Sequence, residues 1–306
     1  MNDRTNVINT TELRWVVSLS TNCLHAADVL RRGHPLANTS LTTAIAEPAR
    51  RLQEEIHTQG LDETSFWNHL VPLSASIENN TQLVETVLRK ALGYNGRAQA
   101  LVGPLAGRVA DVEAAVRRAL PELVEQLADR AERLEQHWQQ VGAAMLDLIA
   151  RPIDPRLIVP KADVILVPAV CGGDGVAHLP YNTVRIESVE TDPVPQLPEV
   201  LRLAWLLAQL NVDLPMFSET IHRDHLPLVA SLAMLPASLA SGRELRLCDN
   251  DPATVRLAVD RWHLTGPPGV DLADVVTSWW NSHLDLQPAW NVSLAALDRM
   301  IHDGGL

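Results

Sequence analysis

Aromatic side chains are scarce in this chain: they make up 4% of 306 residues, and eight of them are tryptophan. A core so poor in Phe and Tyr is filled by Leu, Val and Ala, which favours helices over an all-β sandwich. Cysteine is nearly absent as well. Cys23, Cys171 and Cys248 are odd in number, far apart and outside any CxxC spacing. That argues against a disulfide framework or a thiolate zinc site, and it fits a reducing compartment. Positive charge is in the minority, with 25 Lys and Arg against 37 Asp and Glu for a formal charge of −12. A phosphate-binding surface needs clustered cations, so the acidic balance argues against nucleic acid as a direct partner. No apolar run reaches the roughly 20 residues of a membrane span, and the N-terminus lacks the basic start and apolar stretch of a signal peptide. These absences predict an acidic cytoplasmic protein with no membrane partner.

What is present is ample apolar residue, 46% against 20% charged, enough for a sizeable core. The most apolar stretch is Pro198 to Leu210, PEVLRLAWLLAQL, interrupted only by Arg202 and Gln209 after Glu199. A helix that is apolar all round is buried all round, so this stretch is read as the central helix of the core. Helices are also expected over 12–31 with Thr11 as cap, 41–58, a short stretch after Asp62, and 76–92.

The clearest periodicity runs from Val109 through Val112, Val116, Leu120, Leu123 and Leu127, then Leu134, Trp138, Val141, Met145 and Leu148. Steps of three and four make it a helical stripe, divided at Pro121. Such a stripe either packs on its own domain or offers a surface to a protein partner through helices 109–149. RPIDPRLIVP then reads as a Pro-rich linker. ADVILVPAV reads as a buried strand and YNTVRIESV as a second, alternating one with Val184, Ile186 and Val189 inward, the two forming a hairpin around the loop 171–180. Beyond the central helix, 216–241 reads as helical with Pro227 and Pro236 dividing it. RELRLCD reads as a third strand, Asp251 caps a helix to Trp262, and two helices cover about 271–282 and 292–302. The expected fold is α+β and predominantly α-helical. A helical region (1–150) and a linker (151–160) precede a small-sheet α+β domain (161–306) built around the buried central helix.

Three places carry candidate chemistry. Glu219, His222 and His225 recur every three residues, so on a helix they share a face, with Asp224 beside them. Carboxylate and imidazole ligate zinc or iron, and Asp174 and His178 from the loop, or His263, would complete a site for a divalent metal such as zinc. The loop Cys171-Gly172-Gly173-Asp174-Gly175 lets backbone approach a ligand closely, but a strand follows it rather than the helix N-terminus of a phosphate loop. Its ordinary reading is a tight connection between strands. Arg202 either points to solvent from the first turn or is buried against a carboxylate, for which Glu199, Glu187, Glu190 and Asp192 are in reach.

The order strand, glycine-bearing loop, strand, buried helix loosely resembles the layout of the zincin metallopeptidases. Their active-site helix carries HExxH, where this chain has Arg202-Leu203-Ala204-Trp205-Leu206. The resemblance therefore implies a scaffold without the two histidine ligands and the glutamate base. The leading expectation is a non-enzymatic protein-interaction or scaffold protein. The alternatives are a metal-dependent hydrolase using Glu219, His222, His225, Asp174 and His178, and a small-molecule binder with its pocket under the 171–180 loop.

Overall fold

Leu13 and Trp15 alternate with Glu12, Arg14 and Val16, and Glu12–Val16 is a strand (β1) rather than the start of a helix. The helix begins later, at Leu19–Arg31 (α1), where the Ser18 hydroxyl accepts from the Thr21 N–H. The structure, a computed structural model, describes residues 11–302 apart from 35, 37, 94–95, 169–172 and 189–193. Thr39–Thr58 (α2), Glu63–Leu73 (α3) and Asn80–Leu92 (α4) start at Asn38, Asp62 and Asn79, whose side chains each accept a backbone N–H of the first turn. Gly96–Ala119 (α5) and Leu123–Ala150 (α6) are parted at Pro121, as the proline there predicts.

The sheet follows, with Lys161–Pro168 (β2), Gly175–His178 (β3) and Thr183–Ser188 (β4). Its order is β1-β2-β4-β3. β1 and β4 run parallel to β2, and β3 alone is antiparallel, on β4. The expected hairpin between ADVILVPAV and YNTVRIESV is therefore absent. The hairpin is made instead by β3, inside what reads as a loop, and β4, through a 3-10 turn at Leu179–Tyr181 and a left-handed Asn182 (φ 50°). Reversal within so few residues is only open to an antiparallel neighbour, so β2 and β4 are left parallel.

Glu199–Gln209 (α7) is the central helix, and its residues from Val200 to Gln209 are all buried. Pro215–Ser218 (α8) is one short turn. Leu226–Glu244 (α9) holds Pro227 in its first turn and Pro236 in its interior without dividing. The segment expected as a strand, RELRLCD, ends α9 instead. The chain closes on Arg246 in the left-handed region (φ 60°), and the Leu247 N–H reaches the Gly242 carbonyl at 2.8 Å. Pro252–Arg261 (α10), Leu272–Leu286 (α11) and Trp290–His302 (α12) complete the chain. By length and composition α9 could cross a bilayer, contrary to the reading that no stretch is long enough. Yet 67% of its apolar window is buried within the fold, where it packs on α6, α7 and α11 as a core helix.

Apolar residues gather in two clusters. One joins α1 to α5 and the first turns of α6, through Leu127. The other runs from Ala131 of α6 through the sheet and α7 to α12. The stripe from Val109 to Ile149 is thus spent inside the molecule: Val109, Val112, Leu127, Met145 and Ile149 are all fully enclosed. The sheet lies between the clusters. Leu13, Trp15, Ala162, Val164, Leu166, Val184 and Ile186 face the second cluster. The opposite face carries Ile165, Val167, Thr183, Arg185 and Glu187 against α1.

Candidate functional site

α1 is enclosed along ten consecutive residues, Ser20 to Val29. Thr21, His25, Asp28 and Arg32 fall at helical spacing on one side of it, and that side meets the sheet. The His25 Nε2 lies 3.1 Å from the Glu187 Oε1, with both side chains enclosed. The Glu187 Oε2 accepts from the Gly173 and Asp174 N–H groups at 3.0 and 3.2 Å, and its carbonyl accepts from Arg202 at 2.7 Å. Arg202 also reaches Glu199 at 3.5 Å, so it is buried and paired rather than directed to solvent. Asp28 is shared by Arg31 (2.8 Å) and Arg32 (3.2 Å), and Arg32 reaches Asp174 at 3.6 Å.

Together with buried Arg185, four guanidiniums face four carboxylates among the described residues of this layer. Isolated charges would be prohibitive there, and a balanced set is tolerable. Burial lowers the His25 imidazole from its usual range, Arg185 lowers it further, and Glu187 opposes them. Burial also holds His178 well below that range, with Arg185 and His25 adding to the effect. Both imidazoles are neutral. The His25 Nε2 is taken up by Glu187, and its buried Nδ1 meets no hydrogen-bond partner among the described residues.

Gly173 explains part of the CGGDG motif. Its φ of +131° is closed to L side chains, and a Cβ there would stand 2.9 Å from an Arg202 nitrogen. The glycine lets the chain bend so that consecutive N–H groups clasp the buried carboxylate. Cys171 and Gly172 lie outside the described residues. Gly175 has a second reason to be glycine: a Cβ would meet Leu206 at 2.8 Å, so α7 lies directly on β3 there.

The outer rim of the charged layer, Arg32 and Asp174, opens on a cleft of about 790 Å³ between β3, α7, the start of α9, and α10 with the chain that follows it. Its apolar side includes Trp205 and Trp262, stacked with ring centroids 4.5 Å apart. The Trp205 indole N–H is spent on the Ser231 carbonyl at 2.8 Å, and both rings are enclosed, so they form the floor under the half-buried Val176, Leu228, Val259 and Leu264 that line the cleft. Along the sheet, the cleft is bounded by β3, the edge strand among the described residues. The Glu187 N–H bonds the carbonyl of its register partner Asp174 at 2.9 Å, which sets the alternation of the ladder. Val176 and His178 then turn their backbone groups to β4, whereas the Gly175 carbonyl and both groups of Ala177 point to the cleft. The Gly175 N–H is already met by its neighbour Asp174 at 2.8 Å.

The residues expected to form one metal site are divided between two places. Asp174 and His178 belong to the sheet edge and its charged layer. Glu219 to His225 is a run of turns between α8 and α9, not a helix, so the three-residue spacing does not stack them, and Glu219 is exposed. His263 follows α10 at the cleft rim. His222 and His225 do come together, with ring centroids 5.2 Å apart. The structure adds two groups that the sequence reading missed, Asp298 and His302 of α12. The Nδ1 atoms of His225 and His302 lie 2.9 and 2.8 Å from the same Asp298 Oδ1. Asp298 and His302 are one helical turn apart, and that spacing was the available signal. For the charged layer, the signals were the polar stripe of α1 and the alternation Thr183, Arg185, Glu187 in an otherwise apolar strand. No protein-family model, curated protein or solved structure matches this chain, so the reading of the cleft and its charged rim rests on their own geometry.

Proposed function

We propose that this chain is a binding protein without chemistry of its own, and that its cleft takes an extended peptide segment of a partner protein as an added strand on β3. The observation that carries this reading is the edge of β3 along the cleft, which pairs with no other strand among the described residues and whose register turns the Ala177 N–H and C=O and the Gly175 C=O away from β4. Main-chain bonds to such an edge supply affinity, and the pocket beside it supplies selectivity. Val176, Leu228, Val259 and Leu264, half-buried over the enclosed Trp205 and Trp262, would take an apolar side chain of the peptide, with polar residues on either side of it facing Arg32, Asp174 and His263. The free thiols of Cys23 and Cys248 fit a cytoplasmic setting.

Three backbone bonds at about 1 kcal/mol each and one apolar side chain at about 2–3 kcal/mol leave affinity on the order of 100 µM. The stripe over 109–149 is internal and lends nothing to a partner surface. Hydrolysis by Glu219, His222, His225, Asp174 and His178 draws less support, because only two of the five stand together.

The test is selection of short peptides from a randomised library on the intact protein, followed by titration of those selected against Ala177→Pro. The Ala177 N–H faces away from β4, so proline there leaves the sheet paired while removing the donor. Binding should fall at least tenfold with the melting temperature nearly unchanged. Equal binding by the variant, or no peptide selected above background, would remove the reading.

A further inference from the structure

We propose that His225, Asp298 and His302 form a site for a divalent cation of zinc type, with His222 as a fourth ligand. The site is separate from the peptide-binding reading of the cleft and does not depend on it. His225 precedes α9, and Asp298 and His302 lie in the last turns of α12, so the site joins two helix ends. All three side chains are half-buried, and their ligand atoms lie within 4.8 Å of one another.

Two observations point to a cation. The first is convergence: both Nδ1 atoms approach one carboxylate oxygen, at 2.9 and 2.8 Å. Four ligand atoms at about 2.0–2.1 Å around a tetrahedral zinc are roughly 3.3 Å apart, so side-chain shifts of about half an ångström would admit the ion. The second is the stacking of the two imidazoles, with centroids 3.5 Å apart and planes within 6°. Face-to-face aromatic rings repel through their quadrupoles and ordinarily slip or tilt. Here both rings turn Nδ1 to the same carboxylate oxygen, and the His302 Nδ1 also lies 3.0 Å from the Asp298 carbonyl. A cation at the shared point would take one lone pair from each Nδ1, which turns this close stacking into ligation.

Imidazole and carboxylate suit zinc and its neighbours, whereas magnesium and calcium take oxygen. His222 stands on the exposed turn, free to swing in from its contact with Asp224 at 3.7 Å. The neighbouring cations Arg223 and Arg299 are exposed and able to turn away.

The experiment uses untagged full-length protein stripped with chelator and titrated with Zn²⁺ by calorimetry. The wild type should take one Zn²⁺ per chain and melt at a higher temperature when loaded. His225→Ala/His302→Ala should bind at least about 100-fold more weakly and lose the thermal shift, whereas His263→Ala should retain both. No binding by the wild type, or full binding by a folded double variant, overturns the proposal. If the double variant fails to fold, cobalt-loaded wild type decides. Tetrahedral visible bands with paramagnetically shifted signals from His225 and His302 support the site, and shifted signals from other histidines, or none, overturn it.

Discussion

His25 and His178 are both enclosed, and both refuse protons that an unfolded chain would accept near the ordinary imidazole value of 6.5. A histidine whose native value is depressed adds no pH dependence above 6.5. Below it, the unfolded chain binds the proton and the native chain does not, so stability falls as pH falls until the native value is reached. His69, part-buried and close to Lys90, shifts the same way. Each fully neutral histidine contributes about 1.4 kcal/mol per pH unit in that window. The melting temperature should therefore drop steadily from pH 7 to pH 5, before most carboxylates begin to titrate. His178→Gln, which keeps a polar group at the site and cannot titrate, should make the drop shallower by about one proton. Calorimetric scans at half-unit steps measure this, and an unchanged slope in the variant would place the pH dependence elsewhere. The residue scale is also where the sequence was least transparent. Arg202 read equally as solvated or paired because its burial depends on β4 and Glu187, which the local string does not bring to it.

The elements best anticipated are those whose causes are local. Asn38, Asp62, Asn79 and Asp251 accept N–H groups at the starts of their helices, and the apolar stripe of α5 and α6 follows the helical repeat. The α+β, mainly helical class and the all-round burial of α7 came from the same kind of reading. The sheet was half anticipated: β2 is evident as an apolar run and β4 as an alternation, whereas β1, β3 and the parallel order are not, and the strand expected over RELRLCD does not form. β1 depends on Lys161 to Ile165, nearly 150 residues away, and nothing within Glu12–Val16 signals that partner. This dependence is testable at the element scale. Asp at both Leu13 and Trp15 places charges on the core-facing side of β1 and should detach the strand. The apolar edge of β2 then becomes a template for other chains. Loss of the monomer peak and raised light scattering are expected, with helical circular dichroism largely retained. A monomeric double variant of unchanged stability would mean that β1 contributes little to covering β2. The same separation of local and distant causes holds for the sites. His222 and His225 are neighbours in sequence and were singled out, but Asp298 and His302 reach them only through the packing of α12 on α8 and α9.

At the scale of the molecule, two apolar clusters meet through a balanced charged layer, and one helix belongs to both. α6 buries Leu123 and Leu127 in the first cluster and Ala131, Leu134 and Trp138 in the second. The charged layer is a poor mechanical link by itself, since buried ion pairs return little beyond their desolvation cost. Coupling between the clusters therefore falls chiefly to the continuity of α6 across Leu127 and Ala131. Tryptophan is distributed conveniently for testing this: Trp67 lies in the first cluster, and Trp138, Trp205, Trp262, Trp279 and Trp290 lie in the second. In a Trp67→Phe background, fluorescence then reports the second cluster while circular dichroism, dominated by helices on both sides, reports the whole. Urea unfolding should give coincident transitions by the two probes. Asp129→Pro, at an exposed position between the two buried groups of α6, breaks the helix at a local cost of about 3 kcal/mol without touching either core. The two probes should then separate, with the first cluster melting at lower urea. Coincident curves in the proline variant would shift the coupling to the His25–Glu187 layer, and separated curves already in the parent would show that neither the helix nor the layer makes the molecule unfold as one.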